Sequence, residues 1–221
     1  MKKYKILYED KDLFVLYKSY GLAVQSARPS VPDALSMLRN DLMLRGDKNI
    51  ELFPVNRLDQ PVEGIFLVAR NSKSAGELSR QVSDHSHMEK IYQALVYGRP
   101  LEKEGRLIDY LVKDNGHNVS CVVPAGTQNA KRSELLYHMV RTWQDKSLLE
   151  IRILTGRHHQ IRVQLAHAGM PIVGDTKYGK AESGFHQLSL CSCKLSFRHP
   201  RTGEPLSFQV EPTFPVPPTA L

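Results

Sequence analysis

Apolar and polar positions first organise at the N-terminus. Ile6 to Tyr8 and Leu13 to Tyr17 are two short apolar runs separated by the charged Glu9-Asp10-Lys11-Asp12, the pattern of a β-hairpin. Gly21 marks a turn. Pro32 with Asp33 opens a helix whose apolar stripe is Leu35, Leu38 and Leu42 and which Gly46 closes. Ile65 to Ala69 is uninterrupted apolar chain of strand length and reads as a buried strand. Ser72 then caps a helix with Ala75, Leu78 and Val82 on one side. Lys90 to Tyr97 predicts the next strand, ended by Gly98-Arg99-Pro100. Residues 101–133 are rich in turn formers and weakly periodic, with short strands expected around Leu107 and over Val119 to Val123. Leu135 to Trp143 and Leu148 to Leu154 form a second hairpin over Gln144-Asp145-Lys146. A helix from about His158 to Ala168 carries Ile161, Leu165 and Ala168 at helical spacing and stops at Gly169. Leu188 to Phe197 and Leu206 to Val210 are strands around the turn His199-Pro200-Arg201-Thr202-Gly203-Glu204.

Strands and helices are segregated along this chain and do not alternate regularly. That favours an α+β fold, a mixed, largely antiparallel sheet with flanking helices, over a doubly wound one. There is no internal repeat and no long linker, so residues 1–221 are expected to form a single domain with residues 210–221 as an extended tail.

Composition narrows the class. At 41% hydrophobic and 24% charged residues over 221 positions, the chain can bury a sizeable core. The net charge of +7 favours a polyanionic partner, nucleic acid first. No apolar stretch approaches a membrane span, so no membrane partner is expected. The three cysteines, Cys121, Cys191 and Cys193, are an odd set, and the last two are too close in sequence for an ordinary strand disulfide. A reduced, cytoplasmic chain is expected. His85 with His87, His158 with His159, and Cys191 with Cys193 lack zinc-helix or Cys-x-x-Cys spacing, so no metal is expected.

Two segments carry candidate chemistry. Asn56-Arg57-Leu58-Asp59-Gln60-Pro61-Val62-Glu63-Gly64 runs straight into the Ile65 strand, so a rigid element fixes a turn presenting one carboxylate and one guanidinium at a sheet edge. About a hundred residues on, Thr155-Gly156-Arg157-His158-His159-Gln160-Ile161-Arg162 opens the helix that ends at Gly169.

These segments, in this order, resemble the RluA-type pseudouridine synthases. The likeness also takes in Lys18-Ser19-Tyr20-Gly21, Lys90-Ile91-Tyr92-Gln93-Ala94-Leu95-Val96-Tyr97-Gly98, Gly174-Asp175-Thr176-Lys177-Tyr178-Gly179 and Thr202-Gly203-Glu204. The resemblance implies a pseudouridine-synthase-like fold with an RNA-binding cleft, and an isomerase that converts uridine to pseudouridine in structured RNA (rRNA or tRNA) without a cofactor. It implies Asp59, Tyr92 and Arg157 as the catalytic residues, with Arg157 paired to Asp59 and Tyr92 stacked on the base. It implies Arg57, Lys90, Arg162, Lys177 and Tyr178 as RNA-binding positions and Leu58 and Ile161 as pocket lining. Asp175 is expected to be structural, holding its own loop. The family often carries a small RNA-binding domain at the N-terminus; with the first strand at about Ile6, none is expected here. No obligate protein partner is expected either. Two stretches depart from the pattern: Asn56, where histidine is usual, and Val62-Glu63, where a threonine-serine pair is usual. They motivate a second reading, a catalytically idle RNA-binding paralogue. A third, a metal-dependent nuclease, rests on the nine histidines and the acids.

Overall fold

A computed structural model describes residues 3–26, 28, 30–84, 87–179 and 187–217. In chain order the elements are β1 (Tyr4–Glu9), β2 (Leu13–Lys18), α1 (Ala34–Leu44), β3 (Phe53–Pro54), β4 (Glu63–Ala69) and α2 (Ser72–Asp84). They continue with β5 (Glu89–Tyr97), β6 (Glu104–Asp114), β7 (Val119–Val123), β8 (Lys131–Thr142), β9 (Lys146–Ile153), α3 (Gln160–His167), β10 (Leu190–Arg198) and β11 (Pro205–Gln209). The chain forms two compact units. Unit 1 is Met1–Lys90 with Ser192–Pro212, and unit 2 is Ile91–Cys191 with Thr213–Leu221.

In unit 1 the strand order is β1-β2-β4-β10, with β3 beside β4 and β11 beside β10. The β1–β2, β2–β4, β3–β4 and β10–β11 pairs are antiparallel. β2 and β4 are buried along their whole lengths, which is why both read as apolar runs and not as alternating ones. Leu13, Val15, Ile65, Leu67, Leu78, Leu195 and Phe197 form one core cluster, to which α2 contributes Leu78. Asp33 caps α1: its side chain accepts from the Ser36 amide, and the Ser36 hydroxyl accepts from the Asp33 amide. The cap of α2 lies one residue earlier than the expected Ser72, because Asn71 Oδ1 accepts from the Ser74 amide.

In unit 2 the order is β5-β9-β8-β6-β7, all antiparallel. β6 is an eleven-residue strand where only a short one around Leu107 was expected. α3 packs against β6 and β7, and its Gln164 Nε2 donates to Asp109 Oδ2 (2.8 Å). It starts at Gln160, two residues later than expected, since His159 sits in the left-handed region at φ 53°. Cys121 is exposed on β7, whereas Cys191 and Cys193 on β10 are buried. Among the described residues the pairing is thus largely antiparallel with three helices, the α+β class read from the sequence. Of the expected tail, residues 218–221 lie outside the described residues, as does His85.

Candidate active site

The segment Val55 to Gly64 of unit 1 is held at three places. At its start the Val55 amide donates to the Leu67 carbonyl (2.9 Å), and Asn56 Oδ1 accepts from the Leu67 amide (2.8 Å). At its end Gly64 pairs with Lys18, with φ at +121° and its Cα pressed on the Ser192 backbone of β10. An added Cβ there would lie 2.6 Å from the Ser192 nitrogen, so only glycine fits. In between, a turn closes from the Val62 amide to the Asp59 carbonyl (3.0 Å). Lys18 Nζ donates to the carbonyls of Gln60 and Val62. The Gly21 amide and the Gln60 side chain exchange hydrogen bonds with each other's carbonyls, both at 3.1 Å.

This frame sets exposure. Arg57 is exposed, Leu58 buried and Asp59 part-buried. The positions that depart from the family pattern serve the frame itself. Glu63 is fully buried and its Oε2 accepts from the Tyr17 hydroxyl (3.0 Å), Val62 is buried, and Asn56 ties the segment to β4. In the sequence Lys18 belongs to a matching motif without an assigned role, and the Tyr17–Glu63 pair is not foreseen there. The available signal was a charged residue ending an otherwise apolar strand, which means either exposure or a partner.

In unit 2, Tyr92 is buried on β5 opposite Ile151 of β9, while its neighbours Ile91 and Gln93 pair with Arg152 and Glu150. Tyr92 therefore occupies the opposite sheet face from Ile91 and Gln93, as the strand period requires. The Thr155–Arg162 segment is laced to β8 through one side chain. Gln160 Oε1 accepts from the Arg157 amide (3.0 Å) and the Thr155 hydroxyl (2.8 Å), and Nε2 donates to the Glu134 carbonyl (3.0 Å). Arg157 is exposed, and its Nε donates to the Arg132 carbonyl (3.1 Å). Ile161 is buried on α3 together with Leu165.

Two residues expected to meet RNA are buried. Arg162 is 3% exposed, and its guanidinium holds both carboxylate oxygens of Asp175, so its charge is used inside unit 2. Lys90 is 7% exposed, and burial depresses its pKa, the opposite of a lysine offered to phosphate in water. Asp175 holds its loop as expected: Oδ1 also accepts from the amides of Lys177 (2.9 Å) and Tyr178 (3.2 Å). Burial alone would raise this carboxyl, but Arg162 and those amides outweigh it and hold it below the usual range. Lys177 is exposed, with Nζ on the Asn118 carbonyl (2.7 Å). The Tyr178 oxygen accepts from the Ser120 amide and lies 2.7 Å from His159 Nδ1.

Among the described residues, Asp10, Asp12 and His199 of unit 1 come close enough to suggest a metal. The hydrogen bonds argue otherwise. His199 Nδ1 accepts from the amides of Arg201 and Thr202, so Nε2 carries the proton and donates it to Asp10 Oδ2 (2.7 Å). Arg201 Nε occupies Asp12 Oδ2 (2.6 Å). A cation would have to strip that proton and displace the guanidinium. The cluster instead joins the β1–β2 turn to the β10–β11 turn.

A family model described as RNA pseudouridylate synthase matches residues 12–167. The chain belongs to the RNA pseudouridylate synthase family. Among curated family members it is 33% identical over 215 residues to a tRNA pseudouridine synthase C of Haemophilus ducreyi, covering 89% of this chain and 86% of that one. It is 32% identical over 212 residues to an uncharacterised RNA pseudouridine synthase of Bacillus subtilis, covering 92% of this chain and 67% of the relative. The chain thus spans about two thirds of the Bacillus protein's length. The fold matches that of human RNA pseudouridylate synthase domain containing 4 at a TM-score of 0.77, with 23% identity over 94% of this chain and 88% of that one.

Proposed function

We propose that this chain isomerises uridine to pseudouridine in structured RNA, ribosomal or transfer, with Asp59 as the catalytic carboxylate and without a cofactor. Family membership makes it an isomerase acting on RNA. The observation that carries the site assignment is the turn around Asp59, tied through Lys18, Gly21 and Leu67 so that a part-buried carboxylate stands beside an exposed arginine.

The reaction must break the C1′–N1 bond without hydrolysis and rejoin the ring through C5. A carboxylate serves either as nucleophile at the sugar or as base at C2′, and must be ionised for both. Arg157 supplies the cation for it when RNA is bound, and Tyr92 stacks on the extruded base. Arg57 fills the gap that the uridine leaves, since extrusion from a duplex costs a few kcal/mol that an inserted side chain offsets. Leu58 walls the base slot, Lys177 and Tyr178 meet flanking phosphate or sugar, and both units work as one catalytic domain in the cytoplasm. The idle-paralogue reading loses its motive, because Asn56 and Glu63 hold the loop that carries Asp59.

The test is incubation of the purified chain with total RNA, followed by chemical mapping of pseudouridine. Wild type is expected to modify discrete sites and Asp59→Asn none. An Asp59→Asn protein working at the wild-type rate would defeat the assignment.

A further inference from the structure

β6 and β8 set three charged side chains on one face of unit 2. The register puts Arg106 opposite Leu136, Ile108 opposite Glu134 and Tyr110 opposite Arg132. Opposed residues share a face, as do residues two apart on a strand, so Arg106, Glu134 and Arg132 stand together. Asp109, on the other face, receives Gln164 of α3, so the arginine face is the one turned away from that helix. It is open to water, as the exposed Ile108 shows. Tyr92 falls on the α3 face by the same register, through Ile151, Tyr137 and Gly105.

Glu134 is buried, with its side chain 6% exposed, and each oxygen takes one guanidinium: Oε1 that of Arg106 and Oε2 that of Arg132. Burial alone would raise this carboxyl, but Arg132 and Arg106 outweigh it and hold it below the usual range. The arginine side chains themselves stay 57% and 46% exposed. A single arginine would neutralise the carboxylate. The second leaves one net positive charge on two guanidiniums that a buried anchor holds side by side, each a planar fork of N–H donors. Charge and donor geometry both suit a phosphodiester. Glu104, on the same face, is engaged by His138 Nδ1 (3.0 Å). The chain's net charge of +7 favours a polyanion, and with Arg162 and Lys90 buried its cationic surface comes from other residues.

We propose that Arg106 and Arg132, seated on Glu134, clasp one backbone phosphate of the substrate RNA outside the base slot. The proposal rests on the reading of this chain as an enzyme that acts on RNA. The clasp and Tyr92 occupy opposite sheet faces, so it bears on which RNA is held and how tightly, and not on the chemical step.

The test is binding of bulk transfer RNA to the full chain over a range of KCl concentrations. Losing one phosphate contact lowers the slope of log Kd against log salt by about 0.7–0.9, which weakens binding about five- to eightfold near 0.1 M salt. Arg106→Gln leaves Glu134 paired with Arg132, brings the cluster to neutrality and should show that full loss. The triple exchange Arg106→Gln, Arg132→Gln, Glu134→Gln is also neutral, buries no unpaired charge and should match it. Arg39→Gln removes one exposed charge from α1 of unit 1 and should keep the wild-type slope. In turnover assays the loss at the clasp should appear in KM. A wild-type slope in Arg106→Gln would overturn the proposal. So would an equal fall in Arg39→Gln, since overall charge would then explain both. Should the triple variant not fold, Arg106→Gln decides alone, its side chain being more than half exposed. Millimolar inorganic phosphate at matched ionic strength should not displace the RNA; displacement would give the site to a free anion instead. A wild type that binds transfer RNA with the expected difference from Arg106→Gln, yet forms no pseudouridine, would sink the activity and leave the clasp standing.

Discussion

Arg162 grips Asp175 at both ends of the carboxylate: Nε donates to Oδ2 and Nη2 to Oδ1, each at 2.8 Å. Both side chains are almost wholly buried, and the Arg162 guanidinium also lies over the Tyr178 ring. Truncating one member leaves the other charge without its partner in a dry site. Arg162→Ala should therefore cost about 3–5 kcal/mol in urea or thermal unfolding. A loss under about 1 kcal/mol would place the pair with ordinary surface bridges.

The same carboxylate sets an acid limb. A carboxyl whose folded pKa is depressed adds stability above its unfolded value, about 3.9, and that contribution is lost as pH falls through the folded value. Stability should be level near neutrality and decline below about pH 4. Asp10 and Asp12, also held low, contribute to the same limb. The decisive measurement is the difference between wild type and Asp175→Asn across that range. The variant should be less stable at neutral pH and lose less on acidification; parallel curves would contradict the assignment.

Gly21 and Gly64 share a positive φ but differ in room. At Gly21 an added Cβ meets nothing within 4 Å, so Gly21→Ala should cost only the left-handed penalty, about 1–2 kcal/mol. At Gly64 the Cβ falls into the Ser192 backbone, and Gly64→Ala should cost clearly more, above about 3 kcal/mol. Equal melting temperatures for the two variants would disprove the close approach.

Arg57 is exposed beside Asp59. Arg57→Ala should raise KM or lower turnover on folded RNA by at least about tenfold, equivalent to roughly 1.4 kcal/mol of lost help in extruding the base. A short single strand carrying the same uridine should be modified nearly as by wild type. Equal losses on both substrates would remove that role.

Much of the fold was legible because its strands announce themselves locally. β2 and β4 are buried on both faces, so their apolar runs cannot be mistaken for loops. β6 escaped for the opposite reason. It alternates exposed and half-buried residues, includes Gly105 and Asp109, and owes its length to pairing with β8, which no local window contains. At the site, the Asp59 turn was readable from its position before β4. The fates of Arg162 and Lys90 were not, since a basic side chain looks the same in sequence whether it meets phosphate or a buried aspartate. Only the fold brings Asp175 to Arg162.

The three thiols divide in a way that is useful at the bench. Cys191 and Cys193 are sealed within β10, while Cys121 stands open on β7, next to the Ser120 amide that binds Tyr178. A maleimide dye added to the native protein should attach at one place without mutagenesis. It would sit within reach of the Tyr178 loop, giving a fluorescence reporter for any RNA that settles there.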